Sequence, residues 1–118
     1  MMTLSQKQQR FASLVARLIL EAQTRGYEVT LGEAFRSAEE AARLAKIGSG
    51  ISRSLHTQRL AIDLNLFVDG VYRSDTESYR PLGEWWEAQS SGEIVCAWGG
   101  RFTRADGNHF SIEHEGRR

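Results

Sequence analysis

Nine residues, "LAIDLNLFV" (60–68), limit what this chain can become more than any other stretch. Leu60, Ile62, Leu64, Leu66 and Val68 recur at every second position, the period of an extended strand with one buried face. Asp69-Gly70 follows at once, the favoured centre of a two-residue hairpin, so "VYR" is expected to return antiparallel. A sheet is therefore required. Asp63, in the middle of the run, is a carboxylate that a half-buried strand accommodates only if something holds it.

Helical signals flank this strand. Thr3 and Gln6 have capping-box spacing, and Phe11, Leu14, Val15, Leu18 and Ala22 then share one helical face. Gly26 is a C-terminal stop, which predicts a first helix over about residues 4–25. "YEVTL" alternates as a strand. Ser37 and Glu40 form a second capping pair before the short helix "AEEAARLAK", and "GSGIS" (48–52) reads as a flexible loop. "PLGEWWEAQ" is a third helix with Pro81 in its first turn, and "EIVCAWG" and "HFSIEH" are the last strands. Helices and strands mix without regular βαβ alternation. The expectation is a single α+β domain over residues 1–118, with a largely antiparallel sheet and about three helices.

Composition removes several function classes. Fifteen basic residues balance fifteen acidic ones, leaving no global field for nucleic acid or an anionic membrane. One cysteine, Cys96, allows no internal disulfide, and its apolar setting favours a buried thiol over a nucleophile. "FASLVARLILEA" is interrupted by Arg17 and Glu21, and no stretch reads as a bilayer span or membrane anchor. The N-terminus lacks the pattern of a signal peptide, so synthesis in the cytoplasm is expected.

Two strands carry the chemistry. Asp63 faces away from Ile62 and Leu64, and in "HFSIEH" His109, Ser111 and Glu113 face away from Phe110 and Ile112. His56 precedes the first strand in a loop from which it can swing over the same polar face. Two imidazoles and one carboxylate form a catalytic zinc set with a fourth position left for water. Asp106, three residues before His109, is within reach as a general base without being a ligand. Blander readings stand beside this one. His56 can be a hydrogen-bonded surface residue, Asp106 a turn former, and Asp63 the partner of Arg36, Arg53 or Arg59. His114, near the chain end, reads as exposed; of the adjacent Trp85 and Trp86, one is core and the other partly exposed.

Residues 31–64 and 98–110 resemble the M15 zinc peptidases, which include D-Ala-D-Ala peptidases of VanY and VanX type and phage L-alanyl-D-glutamate endolysins. Ser54, His56, Ala61 and Asp63 meet the pattern S-x-H-x-x-G-x-A-x-D. "WGGRFTRADGNHF" meets the second block, "EAFRS" resembles E-G-Y-R-S, and "LGEWWE" resembles the helix before the second block. Arg59 replaces a family glycine, and Ala34-Phe35 replaces Gly-Tyr. The resemblance implies one zinc ion on His56, Asp63 and His109, with Asp106 as catalytic acid/base. Arg36 is implied as substrate contact or oxyanion stabiliser, and Ser54 as a substrate contact. It also implies an M15/Hedgehog-like fold and a peptidoglycan stem peptide as partner, with a monomer expected. An endolysin released through a holin-type pore to cut L-Ala-D-Glu is the leading expectation. The alternatives are a D-Ala-D-Ala carboxypeptidase or dipeptidase, and a non-catalytic zinc-bearing binding domain such as the Hedgehog fold also supports.

Overall fold

The computed structural model describes residues 1–51 and 53–118. The elements in chain order are α1 (Leu4–Thr24), β1 (Tyr27–Leu31), α2 (Ala38–Lys46), β2 (Ala61–Val68), β3 (Val71–Arg73), α3 (Thr76–Ala88), β4 (Cys96–Trp98) and β5 (His109–Ile112). Two 3₁₀ turns, Leu55–Gln58 and Gly99–Arg101, lead into and out of the sheet.

The predicted central strand is the hub. Every pairing is antiparallel and the order is β1-β2-β5-β4, with β3 also on β2. β1 runs along one edge of β2, from Tyr27 opposite Val68 to Leu31 opposite Leu64. The other edge is shared, with β3 opposite residues 66–68 and β5 opposite residues 61–63. The hairpin forms where the sequence places it. Asp69 and Gly70 have φ of 52° and 77°, the two left-handed residues of a type I′ turn.

Helices α1 and α3 cover the apolar face of this sheet. α1 starts on the expected capping box, with Thr3 and Gln6 bonding each other's backbone N–H, and buries Phe11, Leu14, Leu18 and Ala22. Trp86 of α3 stands edge-on to Phe11 (5.9 Å) and Phe110 (6.0 Å), and its indole N–H donates to the Ser111 carbonyl at 3.0 Å. Trp85 beside it is half-buried, as expected of the pair. Trp98 is wholly buried between Gly83 of α3 and Gly100, where a Cβ at either glycine would overlap the indole. Cys96 is a buried thiol, and burial pushes its pKa up to about 11.

Several expectations need correction. α3 begins at Thr76, capped by the Asp75 carboxylate accepting from Ser78, so Pro81 lies inside the helix rather than in its first turn. A proline there removes one backbone bond, which the packing of Tyr79, Leu82 and Trp86 offsets. At α2 only half of the expected capping pair forms. Ser37 accepts from Glu40 N–H at 3.0 Å, but the Glu40 side chain turns to Arg43. His114 is not exposed; its ring lies 3.3 Å from both the Lys7 ammonium and the Glu115 carboxylate. Of the loop 48–52, Ser52 lies outside the described residues. No described helix is long and apolar enough to cross a membrane.

Candidate metal centre

The sheet register brings two distant residues together. Asp63 of β2 pairs directly with His109 of β5, and residues so opposed project from the same face about 5 Å apart. Asp63 is held on its other edge as well, its N–H donating to the Glu33 carbonyl and its carbonyl accepting from Gly32 N–H, each at 2.8 Å. The third residue arrives on the first 3₁₀ turn. Ser54 caps that turn by accepting from His56 N–H at 3.2 Å, so His56 is fixed rather than carried on a swinging loop. Arg36 N–H donates to the His56 carbonyl at 3.1 Å and ties the turn to the segment after β1.

The three side chains converge. Asp63 Oδ1 lies 3.3 Å from His56 Nε2 and 3.6 Å from His109 Nδ1, and one donor atom from each residue falls within 4.8 Å of the others. Ligands held about 2.0–2.2 Å from a tetrahedral cation stand about 3.3–3.6 Å apart. Asp63 Oδ1 is buried and makes no directed hydrogen bond, which is costly for a carboxylate oxygen unless a cation meets it. His56 Nδ1 is 2.9 Å from the Ala34 carbonyl, which can only accept. That nitrogen therefore carries a proton in either charge state, and Nε2 faces Asp63, protonated when the ring is a cation and free to meet a metal when it is neutral. The residues fit a small divalent ion.

Charge follows from this packing. Burial works against the Asp63 carboxylate, but the His109 and His56 imidazoles more than offset it and hold its pKa down to about 2. Burial likewise disfavours the His56 cation, and Asp63, the Ala34 carbonyl and Glu33 together raise its pKa above the ordinary value. None of Arg36, Arg53 and Arg59 pairs with Asp63; the two histidines hold it.

Asp106 sits beside this group without joining it. Its carboxylate is 54% exposed and its Oδ2 is 3.9 Å from His109 Nδ1. Its backbone is anchored at both ends, N–H to the Gly99 carbonyl at 2.9 Å and carbonyl from His109 N–H at 3.1 Å. Burial pushes the carboxyl above its ordinary value; His109 pulls it back, and the Asp63 charge adds to the rise. Arg36 pairs with Glu33, and its Nε is buried without a partner. Arg36, Ser54, His56, Asp63, Asp106 and His109 all line one cleft of about 400 Å³. Arg59 does not. Its backbone is left-handed at φ 56° and its guanidinium stacks 4.1 Å over Phe35, so the two departures from the resembled pattern touch each other.

Four further residues, three lining the cleft and one against its Arg36 and His56, escaped the sequence reading. Glu33 lies 3.9 Å from His56 Nδ1 as well as against Arg36, and its place three residues before Arg36 in "EAFRS" was the available signal. Phe102 packs 5.3 Å from the His109 ring. Arg104 and Arg118 line the mouth, and no periodicity marks either of them.

No curated protein matches the chain. Among solved structures, the crystal structure of the Serratia marcescens L-Ala D-Glu endopeptidase ChiX is similar, with a TM-score of 0.61 and 23% identity over 86% of this chain and 79% of that one. That likeness is one of fold. The M15 peptidase profile described as D-alanyl-D-alanine carboxypeptidase matches residues 48–112, just over half of the chain and inclusive of all three converging residues, and the chain belongs to that family.

Proposed function

We propose that this chain is a zinc-dependent peptidoglycan peptidase that cuts the L-Ala-D-Glu bond of the stem peptide. The observation that carries the reading is the buried His56–Asp63–His109 group, with its unpartnered Asp63 oxygen, flanked by a half-exposed Asp106. A zinc ion on these three residues supplies a Lewis acid and a water of lowered pKa. The Asp106 carboxylate accepts the proton of the attacking water and returns it to the leaving amine. The Arg36 guanidinium supplies fixed positive charge where the carbonyl oxygen becomes negative. Ser54 holds the His56 turn and borders the substrate.

The choice of bond follows the fold likeness to an L-Ala D-Glu endopeptidase. The family's description favours a second reading, D-Ala-D-Ala carboxypeptidase, with the same residues in the same roles. The setting of a phage or prophage endolysin, acting as a monomer on the wall after holin-type release, follows the endolysin resemblance. A binding domain without turnover needs no general base; the half-exposed Asp106 carboxylate beside His109 supports turnover instead.

Purified protein is incubated with peptidoglycan before chelation, after chelation and after zinc restoration, and new termini are identified by mass spectrometry. New D-Glu amino termini that vanish with chelation and return with zinc are the expected result. Release of D-Ala alone moves the assignment to carboxypeptidase. A folded, zinc-loaded protein that cuts nothing refutes turnover.

A further inference from the structure

The cleft holds two cations that its proposed chemistry does not use. Arg36, Arg104 and Arg118 line it together with Asp63 and Asp106; Arg36 is paired with Glu33 and Asp63 faces the two histidines, which leaves Arg104 and Arg118 with Asp106. Arg25, Arg43, Arg80 and Arg101 are each ion-paired with glutamates. Among the described residues, Arg104 and Arg118 have no such partner.

Arg118 is brought to the cleft by a closed turn. His114 and Arg117 exchange backbone hydrogen bonds at 3.1 and 2.9 Å, with Glu115 and Gly116 both at positive φ between them. The Arg117 guanidinium donates to the Arg53 carbonyl at 3.3 Å, which pins the turn beside the His56 segment. The Arg118 guanidinium then lies 5.2 Å from the Phe102 ring, which itself packs on His109. Arg104 belongs to the Asp106 loop, two residues before the carboxylate. Both cations therefore stand on the Asp106 side of the cleft; Arg118 lies beyond the residues matched by the family, and Arg104 lies within them.

Substrate chemistry gives this side a task. In an L-Ala-D-Glu cut, the amine that leaves belongs to D-Glu, which continues through its γ-carboxyl and so keeps a free α-carboxylate two bonds from the scissile nitrogen. The group that protonates that nitrogen is itself a carboxylate, Asp106. Two negative charges a few ångströms apart repel unless a cation offsets them. We propose that Arg104 and Arg118 form a carboxylate subsite that reads the free α-carboxylate of the residue on the leaving side. It selects acidic stem peptides over those amidated at that position. This inference rests on the peptidase reading of the same site.

The test uses two synthetic stem peptides, identical except that the D-Glu α-carboxyl is free in one and amidated in the other. Steady-state cleavage by the zinc-loaded protein is compared with Arg104→Gln, Arg118→Gln and the double variant, with Arg17→Gln as a distant control and circular dichroism to confirm folding. The wild type is expected to favour the acid by about tenfold or more through KM, since hydrogen bonds to charged groups are worth that much. In the double variant the ratio should fall toward one, while Arg17→Gln keeps it. An acid/amide ratio near one in the wild type, or one retained by the double variant, overturns the subsite. If neither peptide is cut, the peptidase reading fails, and calorimetric titration of the same pair into the zinc-loaded proteins decides the subsite by itself. Equal binding of acid and amide then refutes it.

Discussion

Replacing Asp63 by asparagine in the metal-stripped protein isolates the electrostatics of the centre. The side chain keeps its shape and loses its charge. In the wild type the carboxyl pKa falls from 3.8 to about 2, a difference worth about 2 kcal/mol of folding stability at pH 5. Because the folded pKa is the lower one, this contribution is present above about 3.8 and lost as pH falls through about 2. His56 reports the same interaction from the other partner. Its raised pKa means that its contribution is complete below 6.5 and lost as pH rises through the folded value, so the two are not added. Urea unfolding, followed by tryptophan fluorescence in chelator, gives stability at each pH by linear extrapolation. The gap between wild type and Asp63→Asn should be about 2 kcal/mol at pH 5 and shrink below about 0.5 kcal/mol at pH 2. It should also narrow as His56 loses its proton. A gap that stays flat from pH 5 to pH 2 refutes the account, because a packing effect of the amide would not titrate.

Three other substitutions probe separate parts of the structure. On the proposed reading, Asp106→Asn should bind one zinc per chain by atomic absorption yet lose a hundredfold or more in peptide cleavage, since the carboxylate would move the proton without holding the ion. Gly99→Ala should cost about 1–3 kcal/mol and lower Tm by several degrees in calorimetry, because its Cβ would overlap the Asp106 carbonyl and come within 2.8 Å of His109 Cβ. At Arg59, held at φ 56°, the glycine variant should be more stable than the alanine variant by about 1 kcal/mol in urea melts; both lose the Phe35 stack, but only alanine keeps the left-handed penalty.

The parts of this fold written locally were legible. The capping box at Thr3, the period-two run from Leu60 and the Asp69-Gly70 turn each act within a few residues, and each formed where its pattern lies. Asp63 and His109 were recognisable as residue types on polar faces, but their pairing depends on β5 joining the edge of β2 beside β3. No short-range signal sets that register. The start of α3 was misplaced because Pro81 is the loudest local mark there, whereas Asp75 and Ser78 cap the helix quietly before it. Ser111 shares a face with His109 and reads as polar, yet it is fully buried, because burial depends on what is laid across a strand as well as on the strand's own alternation. Arg118 reaches the cleft through the turn at Glu115 and Gly116, a feature invisible to any reading of strand or helix period.

Trp98 carries a consequence for how such sequences can diverge. Its indole is clasped between two residues that have no side chain, Gly83 on α3 and Gly100 on the turn that begins the Asp106 loop, and its N–H donates to the Gly107 carbonyl at 2.7 Å beyond that aspartate. The three positions form one unit of inheritance. A lineage that adds a methyl group at 83 or 100 must trim the tryptophan in step, and a lineage that trims the tryptophan frees the loop bearing Asp106. Drift far from the His56–Asp63–His109 group is thereby coupled to the Asp106 loop through a single ring.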